Sequence, residues 1–314
     1  MVEFHDEILN ASREQKIEFL EEVMDGDGFQ IDDLSPLLLQ LARDEDEKVR
    51  ELAVTALWDY PDRATLDLLF EIVEKDPSLQ VRSKAVVTLG RFIYEGVMES
   101  YDDEEWLVDN TGIPDISGIS ERDFQRVRRY LLTLARDESQ PLDLRRFAIE
   151  SLSFLAEPEV VDLIQKAYEH PDQDMKASAI FAMGRNNNEK WAEILLKELE
   201  SPVYELQYEA ARAAGDYGLR EGVEVLKRLA KSKDKALALE AIWALGKTGG
   251  QGVRPFLERY LRDRDPDVRD VAQAALEELE LVEFADEMDD FDEWEEFEED
   301  EEGEEDNDQS DDVR

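Results

Sequence analysis

The stretch DPDVRDVAQAAL, residues 265–276, recurs upstream in six weakened forms. They are DEKVRELAVTAL ending at Leu57, PSLQVRSKAVVTL ending at Leu89, PLDLRRFAIESL ending at Leu152, DQDMKASAIFAM ending at Met183, VYELQYEAARAA ending at Ala214 and DKALALEAIWAL ending at Leu245. The first large apolar residue of each serves as an anchor: Val49, Val81, Leu144, Met175, Leu206, Leu237 and Val268, the last five spaced 31 residues apart. Four residues after every anchor stands an alanine (Ala53, Ala85, Ala148, Ala179, Ala210, Ala241, Ala272), and eight after it Leu, Met or Ala. At 3.6 residues per turn these three positions share one helix face, and the constant small residue lets a neighbouring helix come close. Self-similarity at such a period marks a stack of repeats, each burying its face only against its neighbours.

A second amphipathic helix precedes each anchor, as in WAEILLKELE at 191–200 and GVEVLKRLAK at 222–231. The unit is therefore helix, turn, helix. Five residues before the anchors lie Asp44, Asp76, Ser139, Ser201, Ser232 and Asp263, side chains that accept hydrogen bonds from the free N–H groups of a helix start.

This pattern resembles the HEAT repeat family, in the short prokaryotic form of the bilin-lyase HEAT-like type, over roughly residues 35–280. The closest motifs are DEDEKVRELAVTAL, DPSLQVRSKAVVTLG and DRDPDVRDVAQAAL, in which the turn Asp and the Arg after the anchor (Arg50, Arg82, Arg269) stand where family members have them. The resemblance implies that these side chains stack into ladders between repeats, weakened where Gln207 and Ala238 replace the Arg. It also implies an all-α, right-handed α-solenoid whose second helices line a concave groove. On function the resemblance is nearly silent.

The expected organisation is an N-terminal helical cap over 1–34, about seven repeats over 35–280, and a disordered acidic tail over 281–314. The cap's apolar positions are Phe4, Ile8, Ile17, Leu20 and Val23. DGDGFQIDDL at 25–34 resembles an EF-hand loop at Asp25, Asp27 and Gly28, but that register puts Val23 first and Leu34 twelfth, so a helix connector is the better reading. From Val81 to Leu144 is 63 residues, and the surplus falls in EGVMESYDDEEWLVDNTGIPDISGIS, 95–120. A loop with a binding role and a decayed repeat both fit it.

Formal net charge is −45, and residues 281–314 supply 20 acids against one basic residue. Such a surface repels nucleic acid and anionic lipid, and it fits two readings, solubility of an extended surface and attraction of a basic protein partner. The chain has no cysteine, hence no disulfide, thiolate nucleophile or cysteine zinc site. No apolar run reaches the length of a membrane span and the N-terminus has no secretory pattern, so a cytoplasmic location is expected. Oligomeric state has no sequence signature here.

Chemistry-bearing motifs are scarce, and no cofactor is expected. Only His5 and His170 occur, and His170 occupies a turn slot. No His-Glu dyad exists, and GKTGGQG at 246–252 lacks the order of a phosphate-binding loop. The expectation is a non-enzymatic protein-binding scaffold or adaptor; the alternatives are a bilin-lyase-like HEAT-type enzyme and an acidic chaperone for a basic protein.

Positions two and six after the anchor point away from the buried face. In the first two repeats they are Glu51, Thr55, Ser83 and Val87; in repeats four to six they become Phe181, Tyr208, Arg212, Leu239 and Trp243, the composition of a binding hot spot. Gap-filling between repeats is the structural alternative for Phe181 and Trp243. In the tail, Phe291, Trp294 and Phe297 alternate with acids, a composition suited to docking in a complementary groove, with a solvated solubility tail as the alternative.

Overall fold

In a computed structural model, which describes residues 2–25, 34–102 and 119–305, the repeat motif becomes the second helix of a series of helical hairpins. Two units are distinguished, residues 1–188 and 189–314. The first contains five hairpins: α1 (Val2–Leu9) with α2 (Arg13–Asp25), α3 (Ser35–Leu41) with α4 (Glu47–Ala56), α5 (Arg63–Lys75) with α6 (Leu79–Asp102), α7 (Glu121–Arg136) with α8 (Leu142–Leu152), and α9 (Pro158–Tyr168) with α10 (Gln173–Asn186). The second contains three: α11 (Ala192–Glu198) with α12 (Tyr204–Tyr217), α13 (Val223–Leu229) with α14 (Lys235–Thr248), and α15 (Val253–Leu257) with α16 (Pro266–Glu305). No strand occurs among the described residues. Within each unit the second helices stack in sequence order, α2 on α4, α6, α8 and α10, and α12 on α14 and α16. The fold is an all-α solenoid.

The seven alanines four residues after the anchors are all fully buried. The tightest approach lies elsewhere. Seven residues after the anchor the side chain is always small (Ala56, Thr88, Ser151, Ala182, Ala213, Ala244, Ala275), and nine after it stands Gly90, Gly184, Gly215 or Gly246 in four of the seven. A Cβ on Gly215 would lie 2.9 Å from Ala244 Cα, and one on Gly246 only 2.3 Å from the Ala275 carbonyl oxygen. Glycine in one helix thus receives the small residue of the next, backbone against backbone. Hydroxyls reinforce the contact: Thr88 donates to the Val54 carbonyl and Ser151 to that of Val86, each at 3.0 Å.

The turn side chains act one step earlier than expected. Asp44 accepts from Asp46 N (2.9 Å), Asp76 from Ser78 N (2.8 Å) and Asp263 from Asp265 N (2.9 Å), shaping the turn ahead of the helix. The helix cap itself is the residue three before the anchor: Asp46, Asp172 and Asp234 accept from the first free N–H groups of α4, α10 and α14.

The expected Arg ladder is mostly a tie within each repeat. Arg82 Nε donates to the Val73 carbonyl (2.7 Å), Arg269 to that of Asp263 (2.9 Å) and Gln207 to that of Leu199 (2.9 Å), satisfying carbonyls where the first helix ends. Gln207 therefore does the same work as the arginines, and nothing is weakened there. Arg50 alone among these joins two repeats, with Nε 2.8 Å and Nη2 3.1 Å from the two oxygens of Asp76. Lys16 repeats that geometry one hairpin earlier, 2.7 Å from Asp44, so the N-terminal cap is built as a repeat.

Residues 95–102 of the surplus segment continue α6, while 103–118 lie outside the described residues. Since α8 stacks directly on α6, with Ser151 against Gly90, the two repeats on either side of the surplus are neighbours.

Two stability outcomes follow from these contacts. Gly246→Ala should lower the melting temperature, because the clash with Ala275 backbone, ~1–3 kcal/mol, outweighs the ~1 kcal/mol that alanine gains in a helix; Ala210→Leu and Ala241→Leu should each cost a similar ~1–3 kcal/mol. Arg50→Met should cost about 3 kcal/mol in denaturant melts, because it strands the Asp76 carboxylate, whose side chain is only 7% exposed.

Candidate binding faces on the second helices

In the second unit the expected residues come together. Tyr208 and Arg212 on α12, and Leu239 and Trp243 on α14, are all half-buried on adjoining helices. Their surroundings are acidic. Tyr208 Oη donates to Glu240 (2.9 Å), Tyr204 Oη donates to Asp234 (3.1 Å), and the two rings lie 6.2 Å apart. Arg212 is 3.9 Å from Glu209, and Lys247, 6.0 Å from the Trp243 ring, pairs with Asp216. Burial, followed by the charge of Glu240, pushes the Tyr208 phenol up to about 12. Rings flanked by carboxylates offer stacking and charge to a guanidinium or ammonium group.

Phe181, on α10 of the first unit, differs from the expectation of an open face: it is 8% exposed, with the Arg185 guanidinium 4.2 Å from its ring centroid. Around it runs a series of rings and arginines on the second helices. Arg91 lies 5.9 Å from the Trp58 ring and 5.3 Å from Tyr94; Tyr94 meets Phe154 edge-on at 5.2 Å; Arg185 lies 5.0 Å from Phe154. Each successive member comes from the next repeat or its flank, so the series ties repeats together along that edge. The signal was present in the sequence, as Trp58 nine residues after its anchor and Arg91, Phe154 and Arg185 ten after theirs.

Other candidates resolve into structural parts. His170 Nδ1 accepts from Asp172 N at 3.1 Å, the bond that Asp44 makes in its own turn. GKTGGQG joins α14 to α15. Between α5 and α7 lies a shallow groove of about 240 Å³ lined by Glu74, Arg82, Tyr130 and Thr133 among others. Among the described residues no three His, Cys, Asp or Glu side chains converge as a metal site, and no helix is long and apolar enough to cross a membrane. The EF-hand-like loop falls mostly on residues 26–33, outside the described residues, and the side chains of Phe291, Trp294 and Phe297 likewise lie outside them.

The raised Tyr208 pKa has a pH consequence. A phenol that holds its proton more tightly in the folded chain contributes stability that is complete below pH ~10 and lost as the pH rises towards ~12. Melting temperature should therefore fall less steeply over that window in Tyr208→Phe than in the parent, as followed by circular dichroism.

Comparison with known proteins places these features. No curated protein matches the sequence. Among solved structures, yeast importin-beta aligns with a TM-score of 0.49 and 13% identity, over 84% of this chain and 37% of that one. The complex of CpcE and CpcF of phycocyanin lyase from Nostoc aligns at 0.40 and 18% identity, over 81% and 96%. Human deoxyhypusine hydroxylase aligns at 0.38 and 14%, over 86% and 92%. The family model for HEAT repeats matches residues 34–108 and 192–277, just over half of the chain. The chain belongs to the HEAT repeat family.

Proposed function

We propose that this protein is a non-enzymatic binding scaffold or adaptor in the cytoplasm, and that α12 and α14 present its principal site for a protein partner. The observation that carries this reading is the set formed by Tyr208, Arg212, Leu239 and Trp243, half-buried on two adjoining second helices and bordered by Glu209, Glu240 and Asp216. Half-buried aromatics with an arginine provide large contact area at small entropic cost, the character of interface hot spots. The bordering carboxylates select a basic partner and speed its approach. Phe181, in the first unit, is buried beneath the Arg185 guanidinium and is left out of this site. The acidic arm beyond residue 281, with Phe291, Trp294 and Phe297, regulates access by competing with that partner.

The test is cross-linking of the full chain to its cellular partner, followed by binding measurements with the identified protein. Trp243→Ala and Tyr208→Ala should each weaken binding by about tenfold or more, the effect of losing a hot-spot side chain, and binding should weaken as salt is raised. Removing residues 281–314 should strengthen it. Unchanged affinity in both alanine variants would place the partner on another surface.

A further inference from the structure

The repeat array has a built end. Nine residues after the anchor, where four earlier repeats have glycine, α16 has Glu277, and its neighbours on that side are Arg269, Asp270 and Gln273. A polar outer face of this kind is what a terminal repeat requires. Yet α16 does not stop with the array; it continues to Glu305.

Beyond the last repeat the helix has two opposed faces. One is held to the second unit: Leu279 is fully buried, Val282 fits against Gly249, Glu283 accepts from Arg254 at 3.1 Å, and Asp286 accepts from Arg220 at 2.6 Å. At ~100° per residue these four positions centre on one side of the helix, and Leu281 and Phe284 fall on the other. Leu281 is 66% exposed and Phe284 63%, the two most exposed large apolar residues among those described. The sequence continues their spacing with Met288 and Phe291, giving steps of three, four and three residues, an apolar stripe at helical period. Around it, residues 281–305 hold 16 acids and no lysine or arginine.

We propose that this part of α16 is a docking helix, inserting Leu281 and Phe284 into an apolar groove, rimmed by Lys and Arg, on a different protein. Anchoring one face to the repeat body leaves the other presented in a fixed direction, so little order has to be gained on binding. Apolar anchors at helical spacing are the mode by which helices enter hydrophobic grooves. The uniform negative charge specifies the rim by complementarity, and it opposes pairing with the same stripe of a second copy. This surface is separate in position from the Tyr208 and Trp243 site.

The probe is a synthetic helical peptide of about three heptads with Leu at a and d and Lys at e and g, a minimal apolar surface with a basic rim. A second peptide of equal charge has Ser in place of Leu. Fluorescence anisotropy with the full chain should show the Leu peptide binding at least about tenfold more tightly, as expected for burying two large apolar side chains. Leu281→Gln with Phe284→Gln, which leaves the charge unchanged, should reduce that preference to within about twofold while helicity and melting are retained. Tyr208→Ala with Trp243→Ala should leave the preference intact, so failure here is distinguishable from failure of the scaffold site. Equal affinity for both peptides would reduce the interaction to charge alone and overturn the proposal. So would a double variant that keeps the preference, or a dimer of the parent chain in sedimentation that the double variant dissolves.

Discussion

The close approach of one second helix to the next is the constraint on which the rest of this structure depends. A contact in which a Cβ on Gly246 would sit 2.3 Å from a backbone oxygen has no room for adjustment by side-chain rotation. It is met by composition, with alanine four residues after every anchor, a small residue seven after, and glycine nine after in four repeats. Small residues bury little apolar area each, so the large side chains Val49, Val81, Leu144 and Leu237 fill the space between hairpins instead. The same spacing fixes where the outward positions fall, and therefore which residues are available for binding. A solenoid of this kind cannot vary its core period without moving its site.

Charge is handled locally rather than by balance. With a net −45 the chain cannot neutralise its carboxylates, and many of them are given other partners. Asp44, Asp76 and Asp263 accept backbone N–H groups in turns, and Asp46, Asp172 and Asp234 do so at helix starts. These bonds satisfy groups that would otherwise need water. The few cations are concentrated in ties: Arg50 between repeats, Arg82 within one, Arg91 and Arg185 on aromatic rings. What remains on the surface is strongly negative, and it bears on encounter and solubility more than on fold.

Much of the fold was legible in the sequence because a repeated helix is its own replicate. One alanine at one position means little, whereas seven in register identify a packed face, and all seven are buried. The turn reading of His170 followed from its slot in the same alignment and rests on the same type of bond. The errors have local causes. Helix starts were placed two residues early because Asx turns and caps use the same residue types. Phe181 was assigned to an open face because a helical wheel describes one helix, whereas its burial comes with the Arg185 side chain four residues on. The ring and arginine series escaped notice because it lies at the C-terminal end of the second helices, past the segment used for alignment. The electrostatic setting of Tyr208 was likewise invisible, since Glu240 belongs to the following repeat.

The end of the array shows how one element can serve two requirements that conflict. A terminal repeat must stop further stacking, which calls for a polar face, and Glu277, Asp270 and Gln273 provide one. A helix that merely stopped stacking would have no reason to place Leu281 and Phe284 in solvent, since apolar exposure of that kind on a soluble helix is unfavourable. Their position opposite Glu283 and Asp286, held by Arg254 of the same hairpin and by Arg220 just ahead of α13, means that the exposed stripe is a consequence of how α16 is fastened rather than of fraying. The polar face ends the protein's own assembly, and the apolar stripe beside it begins another one. Placing the two in succession along one side of a single helix, Asp270, Gln273 and Glu277 before Leu281 and Phe284, allows the array to stay closed to itself while remaining open to a partner of opposite charge.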